Sequence, residues 1–482
     1  MTDIDPHLAD VLTAHPSVAA AQVTADPDGT GGHALLVADP RTAPALHRSA
    51  ALEAAGRLGP LGWHEPAGAL RVAGLNRSET EFLHREIFTD NAYFRHGIAL
   101  PPAAVVVDVG ANIGMFTLRS ALHSPGARII AVEPVTELAD AVALNAELYD
   151  VDATVLRTAL GRADGETDFT FYPGNSVMSG RFADPREDLD VLRGYLLTGQ
   201  ETPDEGGLDR LMTDRMTART RRVPVTTLTS VAHTHRLDRV DLLKIDVEKA
   251  EADVLDGIDD TLWPRIDRVV LEVHDLDGRL AAALGLLRSR GYLTTTDQDP
   301  RLTRTPCHNV YARRPGVPAG TASVTLPDRG PTLRRLTGEL RELAAARLPS
   351  APPPDRWTLV TELTELTELT ERTELTGRTE STDLTGGHRA ASGARPDTAG
   401  SPRVAVLAGI WADIFGPDAV RPDADFFDLG GDSLTAVRLM TRLEDALGED
   451  ALTPDLIFTD STFGALADAV EASGAPEPTA LP

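Results

Sequence analysis

Short apolar runs rich in β-branched residues alternate with segments of helical length between residues 103 and 312. The runs that predict strands are 105–109, 128–132, 240–245, 269–273 and 309–312. The segments that predict helices are 113–123, 136–148, 250–258 and 279–290. Continuous apolar strands separated by helices are typical of a parallel sheet that is covered on both faces. We therefore predict an α/β fold, in which ligands bind at the carboxyl ends of the strands.

Length, charge and cysteine content exclude several classes of protein. A chain of 482 residues is long enough for about two to four domains. Its 46 basic and 73 acidic residues give a formal net charge of -27, which repels nucleic acid and anionic membranes, so neither is an expected partner. Cys307 is the only cysteine, the start lacks the pattern of a secretion signal, and no apolar run reaches about 18 residues. We expect a soluble, cytoplasmic protein without an internal disulfide.

The first predicted strand passes into its helix through a turn that contains Gly110 and Gly114. Glycines there allow the backbone to approach a ligand closely. Asn112 stands where a dinucleotide-binding turn has its second glycine, so a nucleotide without phosphates fits the pattern better. Glu133 follows the next strand, 23 residues after Gly110, where its carboxylate can accept both ribose hydroxyls. This pair of signals predicts a cofactor site.

Four sequence segments carry a specific resemblance. In chain order they are DVGANIGMFTL, VEP, LLKIDVEKAEADVL and VVLEVHD. Together they resemble the S-adenosylmethionine (SAM)-dependent methyltransferases of the FkbM family, over roughly residues 78–313. Lys249 departs from the pattern, because the family usually has glycine at this position.

The resemblance implies a class I, Rossmann-like methyltransferase sheet with helices on both faces. The residues that it assigns to SAM are Asp108, Gly110, Asn112, Gly114 and Glu133. An alcohol becomes a good methyl acceptor when a base removes its proton, and His274 is our candidate base. We expect Asp246, Glu248 or Glu272 to orient this histidine, whereas Glu251 is expected to face solvent or to pack at a helix start.

Two alternatives remain open at this site. His274 can be an ordinary strand-end histidine bonded to a carboxylate, in which case Asp246 and Glu248 are candidates for the base. The acids Asp246, Glu248, Glu272 and Asp275 can instead hold a magnesium ion, since oxygen ligands suit that cation. We assign no metal, because acids at strand ends are common without one and no loop of fixed ligand spacing is present.

A second signal lies near the other end of the chain. The run DFFDLGGDSL, residues 425–434, introduces a helix with regularly spaced apolar residues. It resembles the peptidyl or acyl carrier domains of assembly-line synthetases over residues 403–474, which are small α-helical bundles. The resemblance implies that Ser433 carries 4'-phosphopantetheine, and a helix N-terminus favours the attached phosphate. A hydrolase nucleophile is excluded, since Thr435 stands where the G-x-S-x-G turn requires glycine.

The segments that flank the predicted methyltransferase carry a third, weaker resemblance. Residues 8–45 and 332–360 look like two parts of the small α+β C-terminal subdomain of an adenylation domain, so we assign its halves to residues 1–77 and 331–360. Residues 361–402 form a linker, with Thr-Glu-Leu triplets followed by a Gly-, Ala- and Pro-rich stretch. The arrangement is similar to the interrupted adenylation domains of nonribosomal peptide synthetases. Those enzymes need a lysine after the second half, but Lys244 and Lys249 are the only lysines, so self-loading is not expected.

The sequence thus predicts a methyltransferase that acts on a hydroxyl group of an aminoacyl or related acyl residue, tethered as a thioester to the carrier domain. N-methylation of the tethered amino group and a non-catalytic carrier scaffold are the alternatives. The expected partners are an adenylation or other loading enzyme in trans, a phosphopantetheinyl transferase, and a downstream condensation domain or synthetase module.

Overall fold

The computed structural model describes residues 5–25, 32–196, 216–319, 330–363 and 401–473, except 304, 355, 423, 432, 448–451, 453–455 and 458–460. The chain divides into two compact units. The first unit comprises Met1–Val72 and Asp328–Pro482, and the second comprises Ala73–Pro327. Most of the predicted linker, residues 364–400, lies outside the described residues.

Three stretches of the chain contribute the helices and strands. The N-terminal region contains α1 (Leu8–Thr13), β1 (Val18–Ala25), β2 (Gly32–Ala38), α2 (Pro44–Ala54), β3 (Gly62–His64) and β4 (Val72–Gly74). The second unit continues with α3 (Arg77–His84), β5 (Val105–Val109), α4 (Met115–His123), β6 (Arg128–Val132), α5 (Thr136–Tyr149), β7 (Ala153–Leu156), β8 (Ala159–Leu160), β9 (Gly165–Phe171), α6 (Pro185–Leu196), β10 (Arg219–Thr226), α7 (Leu228–Thr234), β11 (Leu242–Ile245), α8 (Glu251–Asp256), β12 (Arg268–His274), α9 (Arg279–Ser289), β13 (Leu293–Asp297) and β14 (Cys307–Arg313). The C-terminal region contains α10 (Leu333–Arg347), β15 (Arg356–Leu359), α11 (Pro402–Phe415), α12 (Ser433–Leu447) and α13 (Phe463–Ala472).

A seven-stranded sheet in the order β13-β14-β12-β11-β5-β6-β7 forms the centre of the second unit. The five strands from β12 to β7 are parallel, which confirms the predicted α/β class. Strand β14 is antiparallel to both of its neighbours, so the parallel pattern ends at this edge of the sheet. The reason is the connection, because β13 and β14 are joined without the long helical crossover that parallel neighbours need.

The predicted strands are confirmed, with small shifts at their ends. The predicted strand 240–245 begins only at Leu242, while Val240 makes an isolated bridge to Ile266. The helix predicted from residue 113 begins at Met115, because Gly114 adopts a left-handed conformation with φ 84°. Short strands such as β7 and β13 carry too little apolar pattern to be predicted.

The two faces of this sheet differ in chemistry. Alternate residues such as Val107, Ile130, Leu243 and Leu271 pack into one apolar core with α7, α8 and α9. Since side chains alternate along a strand, the intervening residues face the other side. There the β5–β11 register pairs Asp108 with Lys244, and β12 and β14 present Glu272, His274, Cys307 and Asn309. The polar face is therefore built by the register of four neighbouring strands.

In the first unit, chain segments far apart in sequence share one sheet. Strand β15 pairs with β2 in parallel, with Arg356 opposite His33, and β1 pairs with β2 in the antiparallel direction. Leu12 and Leu36 pack with Leu336 and Trp357 in one core. Residues before and after the second unit therefore fold together.

Helices α11, α12 and α13 carry the core of the C-terminal region. Trp411, Phe426 and Phe463 are buried in it, and the Trp411 ring contacts the other two edge-on. This helical bundle agrees with the predicted carrier fold. Among the described residues of the whole chain, no helix combines the length and apolar character needed to cross a membrane.

Candidate active site

The turn between β5 and α4 is shaped by close packing of its glycines. Gly110 has φ 79°, and a Cβ atom there would lie 1.7 Å from the backbone oxygen of Asp246. A Cβ atom at Gly114 would lie 3.2 Å from the Cα of Val142 on α5. Neighbouring backbone therefore requires glycine at position 110, whereas Gly114 is favoured by its left-handed conformation and by close packing against α5.

Glu133 lies directly against this turn. Its Oε2 accepts a hydrogen bond from the Asn112 backbone N–H at 2.9 Å, and its Oε1 accepts one from the Val135 N–H at 3.0 Å. Each carboxylate oxygen thus retains a further lone pair. Burial raises the pKa of Glu133 to about 7, and the two backbone N–H groups oppose this shift. Asn112 also donates through Nδ2 to the Ser176 Oγ at 3.2 Å, which ties the turn to a second segment.

Lys244 joins the turn to the centre of the sheet. Its Nζ donates to the Gly110 carbonyl at 2.7 Å and lies 3.4 Å from Asp108 Oδ1 and 3.3 Å from Asp246 Oδ2. Burial alone would lower the pKa of Lys244, but the Asp246 and Asp108 carboxylates outweigh it and raise the pKa above its ordinary value. The sequence pattern assigned no role to this lysine.

Tyr93 is a second residue that sequence analysis did not assign to the site. Its hydroxyl donates to Asp246 Oδ2 at 2.9 Å, and the residue is 2 % exposed. Asp246 is therefore held on one oxygen by Lys244 and Tyr93. Because Tyr93 precedes Asp246 by 153 residues, no local sequence pattern predicts the contact.

His274 is buried between two carboxylates. Its Nε2 lies 3.1 Å from Glu248 Oε2, and its Nδ1 lies 3.2 Å from Glu251 Oε1. Burial alone would lower the pKa of His274, but Glu248, Cys307 and Glu251 raise it well above the ordinary value. Of the three acids expected to orient His274, Glu248 contacts it in the structure. Glu251 is a second partner. It is 3 % exposed, so the expectation that it faces solvent is wrong. Glu251 does begin α8, as the alternative stated.

Three carboxyl groups converge beside this histidine. Asp246, Glu248 and Glu272 each place one oxygen within 4.8 Å of the others, and Glu272, His274 and Cys307 form an overlapping group with the same spacing. Burial raises the pKa of Glu272 well above its ordinary value, and the negative charge of Asp246 is the second largest cause of this shift. Burial also raises the pKa of Glu248, although His274 opposes the shift. All four residues predicted to act in catalysis therefore lie in one place.

Ser433 is the first residue of α12, as the carrier resemblance predicts. Gly430 precedes it with φ 88°, and a Cβ atom at Gly431 would lie 2.4 Å from the Phe426 ring. The two glycines therefore let the chain turn against the aromatic core immediately before the helix.

Comparison with known proteins gives two family matches. Residues 108–294 match the methyltransferase FkbM domain, and residues 405–470 match the phosphopantetheine attachment site. The chain is 41 % identical over 250 residues to the 31-O-demethyl-FK506 methyltransferase FkbM of Streptomyces tacrolimicus, which covers 52 % of this chain and 95 % of that protein. The chain belongs to the FkbM methyltransferase family. It accordingly combines a SAM-dependent methyltransferase of α/β, Rossmann-like fold with a carrier domain for covalent 4'-phosphopantetheine.

Two relatives are synthetases. The chain is 36 % identical over 398 residues to the AMB antimetabolite synthetase AmbE of Pseudomonas aeruginosa, a match that covers 78 % of this chain. It is 35 % identical over 116 residues to the phosphinothricin tripeptide synthetase PhsB of Streptomyces viridochromogenes, which covers 24 % of this chain. The chain spans only 18 % of the length of AmbE and 9 % of that of PhsB.

Proposed function

We propose that this protein methylates a hydroxyl group of an aminoacyl or related acyl residue that is tethered as a thioester to the pantetheine arm on Ser433. The observation that carries the proposal is the presence of an FkbM methyltransferase domain and a carrier domain in one chain. The relative named 31-O-demethyl-FK506 methyltransferase supports oxygen as the acceptor atom. The similarity to synthetases, one of them a tripeptide synthetase, supports a nonribosomal peptide pathway as the setting.

Within this proposal, Asp108, Gly110, Asn112, Gly114 and Glu133 form the SAM site. The fit rests on Glu133, whose two oxygens each accept one backbone N–H and so leave one acceptor position apiece for the two hydroxyls of a ribose. The Lys244 contact with the Gly110 carbonyl holds the turn in place for the ligand. When bound, SAM supplies a methyl group on a sulfonium, which the acceptor oxygen takes as the carbon–sulfur bond breaks and its electron pair returns to sulfur.

A base must remove the proton of the acceptor hydroxyl, and we assign this role to the carboxylate of Glu248. Burial raises the pKa of Glu248, which makes it a stronger base than an exposed carboxylate. Both nitrogens of His274 face carboxylates, and its raised pKa favours the charged form, which cannot accept a further proton. His274 then orients Glu248 and stabilises its charge. This assignment keeps His274 in the catalytic group but moves the proton to its partner.

The domain halves on either side of the methyltransferase remain part of the proposal. We assign residues 1–77 and 331–360 to the two parts of an adenylation C-terminal subdomain, and the shared β1-β2-β15 sheet supports one body interrupted by an insertion. A loading enzyme in trans, a phosphopantetheinyl transferase and downstream synthetase modules follow as partners.

The test uses the full chain with Ser433 loaded with a hydroxylated aminoacyl-pantetheine arm. The loaded protein is incubated with SAM labelled in its methyl group, the thioester is hydrolysed, and fragmentation of the released residue locates the label. Label on the hydroxyl oxygen supports the proposal, and label on nitrogen replaces it with N-methylation. A loaded protein that binds SAM but gains no label is a carrier scaffold. The Ser433→Ala variant, which cannot be loaded, serves as the control.

A further inference from the structure

The site contains more negative than positive side chains. The residues joined by the contacts described above include five carboxyl groups, on Asp108, Asp246, Glu248, Glu251 and Glu272. Against them stand the cations Lys244 and His274. Lys244 balances one of the two carboxyl groups on the Asp108–Asp246 side, and His274 balances one of the two on the Glu248–Glu251 side. Among these five carboxyl groups of the described residues, Glu272 is the one that forms no ion pair with either cation.

Glu272 also differs from the other acids in its hydrogen bonding. It is 9 % exposed, and none of the described residues donates a hydrogen bond to its carboxylate. Burial favours the neutral form of this carboxyl group, and a ligand that supplies a donor or a positive charge would favour its ionised form. Its oxygen lies within 4.8 Å of carboxylate oxygens of Asp246 and Glu248, so all three can contact one small group.

An independent observation on the neighbouring strand β14 also indicates that a hydrogen-bond donor is missing. Asn309 lies directly opposite Glu272 in the β12–β14 ladder, on the polar face of the sheet. It is 7 % exposed, and its buried Oδ1 has no hydrogen-bond partner among the described residues. Opposite residues of an antiparallel pair place their Cβ atoms about 5 Å apart. A buried amide oxygen and a neighbouring carboxyl group thus have no donor among the described residues, so one ligand can donate to both.

We propose that Glu272, Asp246 and Asn309 bind a protonated amino group of the tethered acceptor. An ammonium group offers three N–H donors and one positive charge. It can therefore donate hydrogen bonds to Glu272 and Asn309 and also offset the excess negative charge of the site. The inference rests on the proposed function and makes it more specific, because it restricts the acceptor to residues with a free amino group. A protonated amine has no lone pair for a methyl group, so the same contact directs transfer to the hydroxyl beside Glu248.

The experiment compares two arms loaded on Ser433 of the full chain. One carries a hydroxylated aminoacyl group, and the other carries the matched hydroxyacyl group with hydrogen in place of the amine. Both are assayed in the unmodified protein, in Glu272→Gln, and in Asp277→Asn as a matched carboxylate-to-amide control. Asp277 is exposed and has φ 55°, a conformation that asparagine tolerates. Calorimetry with SAM is run on each variant.

The expected result is a selective loss. Removal of the amine should lower the single-turnover rate constant of methylation by about 10- to 100-fold in the unmodified protein and in Asp277→Asn, as for a hydrogen bond to a charged group. In Glu272→Gln the two arms should differ by no more than about twofold, while the affinity for SAM is unchanged. Asn309→Ser should also reduce the difference in methylation rate between the two arms. This variant provides the test if Glu272→Gln does not fold.

Other results overturn the inference in distinguishable ways. Equal methylation of both arms by the unmodified protein overturns the inference while the proposed function stands, whereas a methyl group found on nitrogen overturns both. Methylation of neither arm overturns the proposed function and the inference together. A requirement for added Mg²⁺ or Mn²⁺ after chelation that Glu272→Gln abolishes would assign the three carboxylates to a metal and also overturn it.

Discussion

Lys249 and Asp188 form a buried ion pair, with 2.7 Å between Nζ and Oδ1. Lys249 has φ 72°, a left-handed conformation that favours glycine, and glycine is the residue that its family pattern usually has at this position. Its Nζ also lies 3.1 Å from Glu187, so the lysine connects the β11–α8 turn to helix α6. The departure from the family pattern is thus a contact that glycine cannot make.

Lys249→Gly should destabilise the protein even though it relieves the backbone. Removing one partner of a buried pair costs about 3–5 kcal/mol, whereas relief of the left-handed strain gains about 1–2 kcal/mol. We expect the free energy of unfolding, measured in urea, to fall. In an Asp188→Asn background the same substitution should be neutral or stabilising. Equal losses in both backgrounds would show that the ion pair contributes nothing.

Lys244→Met should be more damaging, because it leaves Asp108 and Asp246 without their shared cation. We expect the free energy of unfolding to fall by about 3–5 kcal/mol at pH 8. The loss should be smaller at pH 5, because burial already raises the pKa of Asp108 and protonation then removes the uncompensated charge. The double variant Lys244→Met/Asp108→Asn should regain stability at pH 8. A loss that does not depend on pH would contradict this account of the lysine.

SAM affinity should depend on the ionisation of Glu133. The pKa of Glu133 in the free protein is raised to about 7 by burial, and hydrogen bonds from ribose hydroxyls favour the ionised carboxylate. Binding should therefore release a proton below pH 7, where the affinity should fall by up to about tenfold for each unit that the pH is lowered, and it should be constant above pH 8. Calorimetry in buffers of different ionisation enthalpy measures the proton release. Glu133→Gln should bind more weakly and lose the pH dependence, and an unchanged pH profile in that variant would place the titrating group elsewhere.

Glu248→Gln tests the proposed proton acceptor. It should lower the single-turnover rate constant of methylation by about 10²- to 10⁴-fold while SAM still binds, since proton transfer is lost and the cofactor turn is untouched. Glu166→Gln is the matched control, because Glu166 is exposed on β9 and pairs with the exposed Arg222. If Glu248→Gln retains full turnover, another group accepts the proton.

Much of this site could be predicted because its residues follow strands. Asp108, Lys244, Glu272 and His274 alternate with apolar core residues, and strand alternation places them on one face once the strands are found. Tyr93, Glu251 and Asn309 could not be predicted in the same way. Tyr93 reaches Asp246 from a distant segment, the inward position of Glu251 depends on the left-handed turn at Glu248 and Lys249, and Asn309 lies opposite Glu272 only through the antiparallel pairing of β14.

The central claim is that the methyltransferase domain acts on cargo carried by Ser433 of this chain. Intact-protein mass spectrometry of the loaded protein, with ejection of the pantetheine arm in the instrument, measures this directly. The account predicts that addition of SAM raises the mass of the ejected arm by one CH2 unit and leaves the rest of the protein unchanged. An arm of unchanged mass, in protein that calorimetry shows to be saturated with SAM, would contradict it.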